Sequence, residues 1–266
     1  MRDDYWTFTQ FGKLPKLANP ILIEGLPGIG NVGKVAVDFL IDELKAKKIY
    51  EITSYTFPHS VFVNEDNLVE LPIVEVFYVK SGSKRNIIFL GGDVQPVDEI
   101  SSYEFSDKVL EMAQKFNVKE IITLGGIGLN DIPKKPKVYC TGNSKKMIDA
   151  YKSELVSSKL YGIVGPIVGV SGLLLGLASR KNISAVSLLA ETYGHPMYLG
   201  INGAKEILKV LNKKLDLKID VNKLDREIKD IESEIMKKTD QLNEVTKQAA
   251  INKLQKKIGK DVDYIG

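Results

Sequence analysis

The residues with the clearest chemical potential form one short run, Gly28-Ile-Gly-Asn-Val-Gly-Lys34. Gly28, Gly30 and Gly33 satisfy the G-x-G-x-x-G dinucleotide pattern. The run follows an apolar stretch, Ile21 to Ile23, that reads as a buried strand. Val35, Phe39, Leu40 and Leu44 then recur at helical spacing, so the glycines turn a strand into a helix. A helix N-terminus presents unpaired N–H groups and the positive end of a dipole. Gly28, Gly30, Asn31, Gly33 and Lys34 are therefore a candidate anion-binding set. Two expected parts are missing. Val35 stands where a P-loop has the Ser or Thr that holds magnesium. The next strand, Tyr50 to Phe57, ends in Phe57-Pro58-His59, without the acidic residue that a dinucleotide site places roughly 20 residues on. The turn is read first as backbone geometry, with glycine supplying positive φ and close approach. A nucleotide- or phosphate-binding enzyme or sensor is the alternative.

Other chemistry is sparser. Asp93, Asp131 and Glu191 each follow a strand end or glycine turn and could meet at a cleft as an acid–base set, although carboxylates there commonly cap helices or form turns. A metal centre needs three or four converging ligands, and His59, His195 and the single Cys140 are far apart in sequence. Ser171, between Gly169 and Gly172, lacks the spacing of a G-x-S-x-G nucleophile turn. No catalytic residue, metal or cofactor is assigned, and the expected protein is not an enzyme.

The elements that must position these residues alternate. Strands are expected at Tyr50 to Phe57, Leu71 to Lys80, Asn86 to Leu90, Glu120 to Leu124, through Tyr139 and Cys140, and at Ile183 to Ala190. A helix after Asp93 should place Ile100, Tyr103, Val109, Met112 and Phe116 on one face, and a second should use Met147, Ile148, Tyr151 and Leu155. Gly162 to Gly176 reads as a tight, buried strand-turn-helix, and a helix from about Gly203 to Lys214 closes the globular part. Three apolar strands stop at glycines, as parallel strands do when they present loops along one sheet edge. The fold class is α/β with a mostly parallel sheet.

The chain has 266 residues, 44% apolar and 27% charged, an ordinary globular composition. Its net charge of +3 is spread along the chain and gives nucleic acid no support. One cysteine suits a reducing cytosol. The first twenty residues lack an apolar signal core, and no apolar run reaches the ~18–20 residues that span a bilayer. A soluble cytoplasmic protein is expected, with no membrane and no nucleic-acid partner.

From Val221 the pattern changes to a heptad seam through Leu224, Ile228, Ile231, Ile235, Leu242, Val245 and Ala249, broken by Lys238. Asp220 is its N-cap. The expected organisation is a globular domain over 1–216, a long helix over 217–258 and a flexible tail over 259–266. Such a helix is about 55–60 Å long at 1.5 Å per residue, so it should project and pair with another helix, that of a second subunit included.

Three blocks in order, Gly25-Leu-Pro-Gly-Ile-Gly-Asn-Val-Gly33, Gly165-Pro-Ile-Val-Gly-Val-Ser-Gly-Leu-Leu-Leu-Gly176 and Leu189-Ala-Glu-Thr-Tyr-Gly-His-Pro196, resemble the signature blocks of the proteasome assembly chaperone family, its archaeal members above all. The resemblance implies a three-layer fold like that of nucleoside phosphorylases, self-association into a homo-oligomer, and binding to the α subunits of the proteasome core particle. It also implies a C-terminal hydrophobic-Tyr-any tripeptide whose tyrosine and carboxylate enter pockets between α subunits. This chain ends Asp263-Tyr-Ile-Gly266, with its tyrosine third from the end. Tyr264, Ile265 and Gly266 are the candidate partner-binding residues, in a shifted register.

Overall fold

A computed structural model describes residues 5–64, 66–80, 85–157, 165–196 and 198–225. The chain divides into two units, Met1–Val221 and Asn222–Gly266. The part of the expected 217–258 helix beyond residue 225, and the tail with Tyr264, Ile265 and Gly266, lie outside the described residues.

In chain order the first unit contains strands β1 (Trp6–Gln10) and β2 (Ile21–Glu24), helix α1 (Val32–Glu43), and strands β3 (Lys47–Ser54), β4 (Phe62–Val63), β5 (Val69–Glu70), β6 (Val74–Val79) and β7 (Ile87–Gly92). Helix α2 (Glu99–Lys115), strands β8 (Glu120–Leu129) and β9 (Val138–Gly142) and helix α3 (Lys145–Tyr151) follow. Strand β10 (Val156–Ser157), helix α4 (Val170–Leu177), strand β11 (Ser184–Tyr193) and helix α5 (Ile201–Leu215) complete it. Nine strands form one sheet in the order β1-β3-β6-β7-β2-β8-β11-β9-β10, while β4 and β5 make a separate hairpin. The central four, β7, β2, β8 and β11, run parallel. Antiparallel pairing of β1, β3 and β6 extends one side, and β9 pairs antiparallel to β11 on the other. The sheet is mixed, with its parallel part at the centre.

Strand parity sorts the core into two layers. Leu22, Ile88, Leu90, Ile121 and Ala185 pack in one cluster with Phe105, Val109 and Leu110 of α2 and Leu174 and Leu177 of α4. Ile21, Ile23, Phe89, Ile122 and Leu188 have the opposite parity and are equally buried. Ala36, Val37 and Leu40 of α1 and Ile207, Leu208 and Leu211 of α5 are buried on their own inner faces, and the two helices pack together. Each such Leu, Ile or Phe contributes about 1.5–3 kcal/mol relative to exposure.

Several expectations are corrected. Trp6–Gln10 is an edge strand that its sequence does not announce. Strand β7 does end on its glycines, at Gly92, but β8 runs through Gly125, Gly126 and Gly128 to Leu129. The inward face of α1 is Val32, Ala36, Val37 and Leu40, with Val35, Phe39 and Leu44 only half-buried. Ile100 and Tyr103 are exposed, because the buried stripe of α2 starts at Ser101 and Ser102 and continues through Phe105 and Val109. Asp98 starts that helix by accepting a bond from Ser101 N at 2.9 Å. Leu155 falls beyond the end of α3, and the approach to α4 is open, with Val168 85% exposed.

Candidate functional site: the glycine cleft

The turn after β2 is built for close approach. A Cβ on Gly33, in the first turn of α1, would overlap the carbonyl oxygen of Leu124 in β8 and crowd Gly25. The helix therefore begins directly against sheet backbone. Gly30 has φ 61°, and a Cβ there would lie 2.6 Å from Thr192 Oγ1. Gly200 N donates to Gly30 O at 2.7 Å, tying the turn to the start of α5. Gly28 is different, being extended at φ −159° with open space around it.

Two side chains lock this turn to its neighbours. Glu24, the last residue of β2, is fully buried and accepts from Leu26 N at 3.0 Å and from Ser171 Oγ at 2.9 Å. Burial pushes its carboxyl up to about 7, against the smaller lowering from those two bonds. Gln95 donates through Nε2 to Pro27 O at 2.5 Å and accepts at Oε1 from Val170 N at 3.1 Å, capping the first turn of α4. Glu24 stands in register with Thr123, and Thr123 with Ser187, so the three share one face of the sheet. The hydroxyls of Thr123 and Ser187 are buried without a hydrogen-bond partner among the described residues, at a cost of about 1–3 kcal/mol each.

Above this layer lies a cleft of about 780 Å³ at the C-terminal ends of β2, β8 and β11. Such an edge is the usual ligand crevice of an open α/β sheet. Gly28, Ile29 and Gly33 form one wall, the glycines of β8 the floor, and Gly165 to Gly169 another wall. Its charged lining residues are Asp98 and Glu99, with no Lys or Arg among the described residues. Ile29, Val97, Tyr103 and Val168 are exposed apolar residues on its rim, Val97 at 78%.

The candidate residues separate. Lys34 does not line the cleft, and its Nζ lies 3.0 Å from Asp38 and 3.8 Å from Asp93. Burial pushes the Asp38 carboxyl up, opposed by Lys34. Asp93 also accepts from Ile73 N at 3.3 Å. Glu191 accepts from Lys137 N at 3.0 Å and from Tyr139 OH at 2.9 Å. Burial and that carboxylate push the Tyr139 phenol up to about 12. Asp131 is exposed after β8. Asp93, Asp131 and Glu191 do not meet at the cleft as an acid–base set, because two are committed to fixing neighbouring backbone and none lines it. His59 is exposed, and His195 stacks on Tyr193 at 5.7 Å. No group of three His, Cys, Asp or Glu among the described residues is placed to hold a metal. Cys140 is buried, its thiol pushed up to about 11 by burial.

The three sequence blocks therefore meet at one edge, joined by Glu24, Ser171, Gln95 and Thr192. Residues 22–239 match the PAC2 family. The chain belongs to the PAC2 family. An uncharacterised protein of Methanocaldococcus jannaschii is 33% identical over 221 residues, 83% of each chain. Among solved structures the chain is similar to PbaB of Pyrococcus furiosus, described as an archaeal proteasome activator, with a TM-score of 0.81 and 37% identity over 89% of this chain and 99% of that one. It is also similar to PbaA of the same organism, an archaeal homologue of proteasome-assembly chaperone, with a TM-score of 0.71 and 26% identity over 94% and 98%. The resemblance carried by the three PAC2 blocks is borne out. No helix among the described residues is long and apolar enough to cross a membrane.

Proposed function

We propose that this PAC2 protein is a non-enzymatic proteasome assembly chaperone or adaptor of the cytoplasm that self-associates and binds α subunits of the proteasome core particle, in part through Tyr264, Ile265 and Gly266. The observation that carries the reading is the match to PbaB across nearly the whole of both chains at 37% identity. The phosphorylase-like layering and the projecting heptad helix belong to the same reading. The cleft supports it from the other side. A phosphate site needs cations or free N–H groups aimed at it, whereas this cleft is rimmed by Asp98, Glu99 and apolar side chains, and Lys34 is held between two aspartates. The test is binding of the full chain to surface-immobilised α-subunit assemblies, against Tyr264→Ala and against deletion of 264–266, at matched oligomeric state. Loss of a buried tyrosine anchor should weaken binding at least about tenfold. Equal affinity for all three would remove the tail from the interface.

A further inference from the structure

The parallel strands begin, at the opposite edge of the sheet, in a second groove of about 1250 Å³. Its floor is apolar, with Ile21, Val79, Ile87, Met147 and Leu215. Its walls carry five cations, Lys80, Arg85, Lys119, Lys146 and Lys214, against two carboxylates, Glu120 and Asp216. Glu120 is consumed inside the wall, ion-paired with Arg85 and accepting from Tyr151 OH at 2.6 Å. Asp216 is likewise engaged. Lys214 is fixed in place, donating to Ala150 O at 2.5 Å with its Nζ 4.9 Å from the centre of the Tyr151 ring. Lys80, Lys119 and Lys146 are exposed and form no ion pair with any described residue. The charge left for a guest is positive.

We propose that this groove is a docking surface for an acidic, amphipathic segment of a partner protein, whose apolar side chains meet the floor and whose carboxylates meet the lysines. Charge complementarity selects the acidic guest. The floor selects a peptide over nucleic acid, since no aromatic ring among the described residues lines the groove to stack a base. The inference stands apart from the tail and from α subunits, and its probe contains neither.

The experiment is fluorescence anisotropy on the full chain with a short labelled peptide carrying leucines on one helical face and glutamates on the other. Comparators are the same peptide with serine for leucine and a single-stranded oligothymidylate. Saturable binding that weakens with salt is expected, with about a tenfold loss for the serine peptide. The triple variant Lys80→Glu, Lys119→Glu, Lys146→Glu should lose at least about tenfold at an unchanged melting temperature. These lysines are exposed, so a folded variant is expected, and the melt is the control. Equal affinity in the variant, no saturable binding, or tighter binding of the oligothymidylate would overturn the proposal. So would a self-association of the chain that the triple variant abolishes, which would give the groove to a second copy.

Discussion

The two ends of the same four parallel strands could hardly differ more. At their C-terminal ends glycine lets α1 and the turn before it press onto sheet backbone, and polar groups are locked pairwise: Glu24 to Ser171, Gln95 to Pro27 and Val170. The cleft this leaves is apolar-rimmed and, among the described residues, carries only Asp98 and Glu99 as charge. At their N-terminal ends Lys80, Lys119 and Lys146 are exposed and the charge left over is positive. One end is held by packing that tolerates no added atom at Gly25, Gly33 or Gly126. At the other, Lys214 ties to Ala150 but the Lys80, Lys119 and Lys146 side chains hold nothing among the described residues, so substitution should be costly at the first edge and nearly neutral at those three lysines.

The largest effect should come from Gly33→Ala. Its Cβ would meet the backbone of Leu124, which cannot rotate away, so destabilisation of about 3 kcal/mol is expected by denaturant unfolding. Gly28→Ala, with open space and extended φ, should stay within about 0.5 kcal/mol. Similar costs at both would break the account of the turn as a packing device.

Glu24→Gln comes next. Burial raises the carboxyl from 4.5 to about 7, so below the lower value both states are protonated and ionisation costs the fold nothing. The cost grows as pH rises between them and is complete above 7. The variant should therefore gain on the order of 3 kcal/mol over wild type at pH 8, with the gain gone near pH 4. A gain independent of pH would contradict a buried, titrating carboxyl. Gln95→Ala should cost about 1–2 kcal/mol through the two backbone groups it leaves unpaired, read by thermal melting. Smallest of all, Lys119→Glu with Lys146→Glu should shift stability by no more than about 0.5 kcal/mol.

Much of this was legible in the residues. Ile21 to Ile23, Ile121 to Leu124 and Ala185 to Ala190 are almost wholly apolar, interrupted only by Thr123 and Ser187, because central parallel strands are buried on both faces. Trp6–Gln10 escaped because an edge strand buries little, here only Trp6. Glycine marks a strand end in β7, which closes at Gly92, but in β8 the glycines are strand interior, kept bare where the Ile29 backbone presses on Gly126. The three blocks marked the cleft, but its locks did not show. Glu24 meets Ser171 across 147 positions and Gln95 meets Val170 across 75, and a single sequence carries no signal for a pairing at that distance. Glu24 alone left a trace, a carboxylate closing an otherwise apolar strand.

The central claim is that this PAC2 protein acts by holding a protein and not by holding a small phosphate ligand. It is tested most directly by presenting both to the full chain under one set of conditions: α-subunit assemblies on a surface, and ATP, GTP, NAD and phosphate in a thermal shift. A ligand at 100 times its Kd stabilises by about 2.7 kcal/mol, enough to move the melt by several degrees. The account predicts saturable binding to the α subunits and no shift with any of the four ligands. A clear shift with one of them, lost in Gly30→Ala and accompanied by no binding to α subunits, would contradict it.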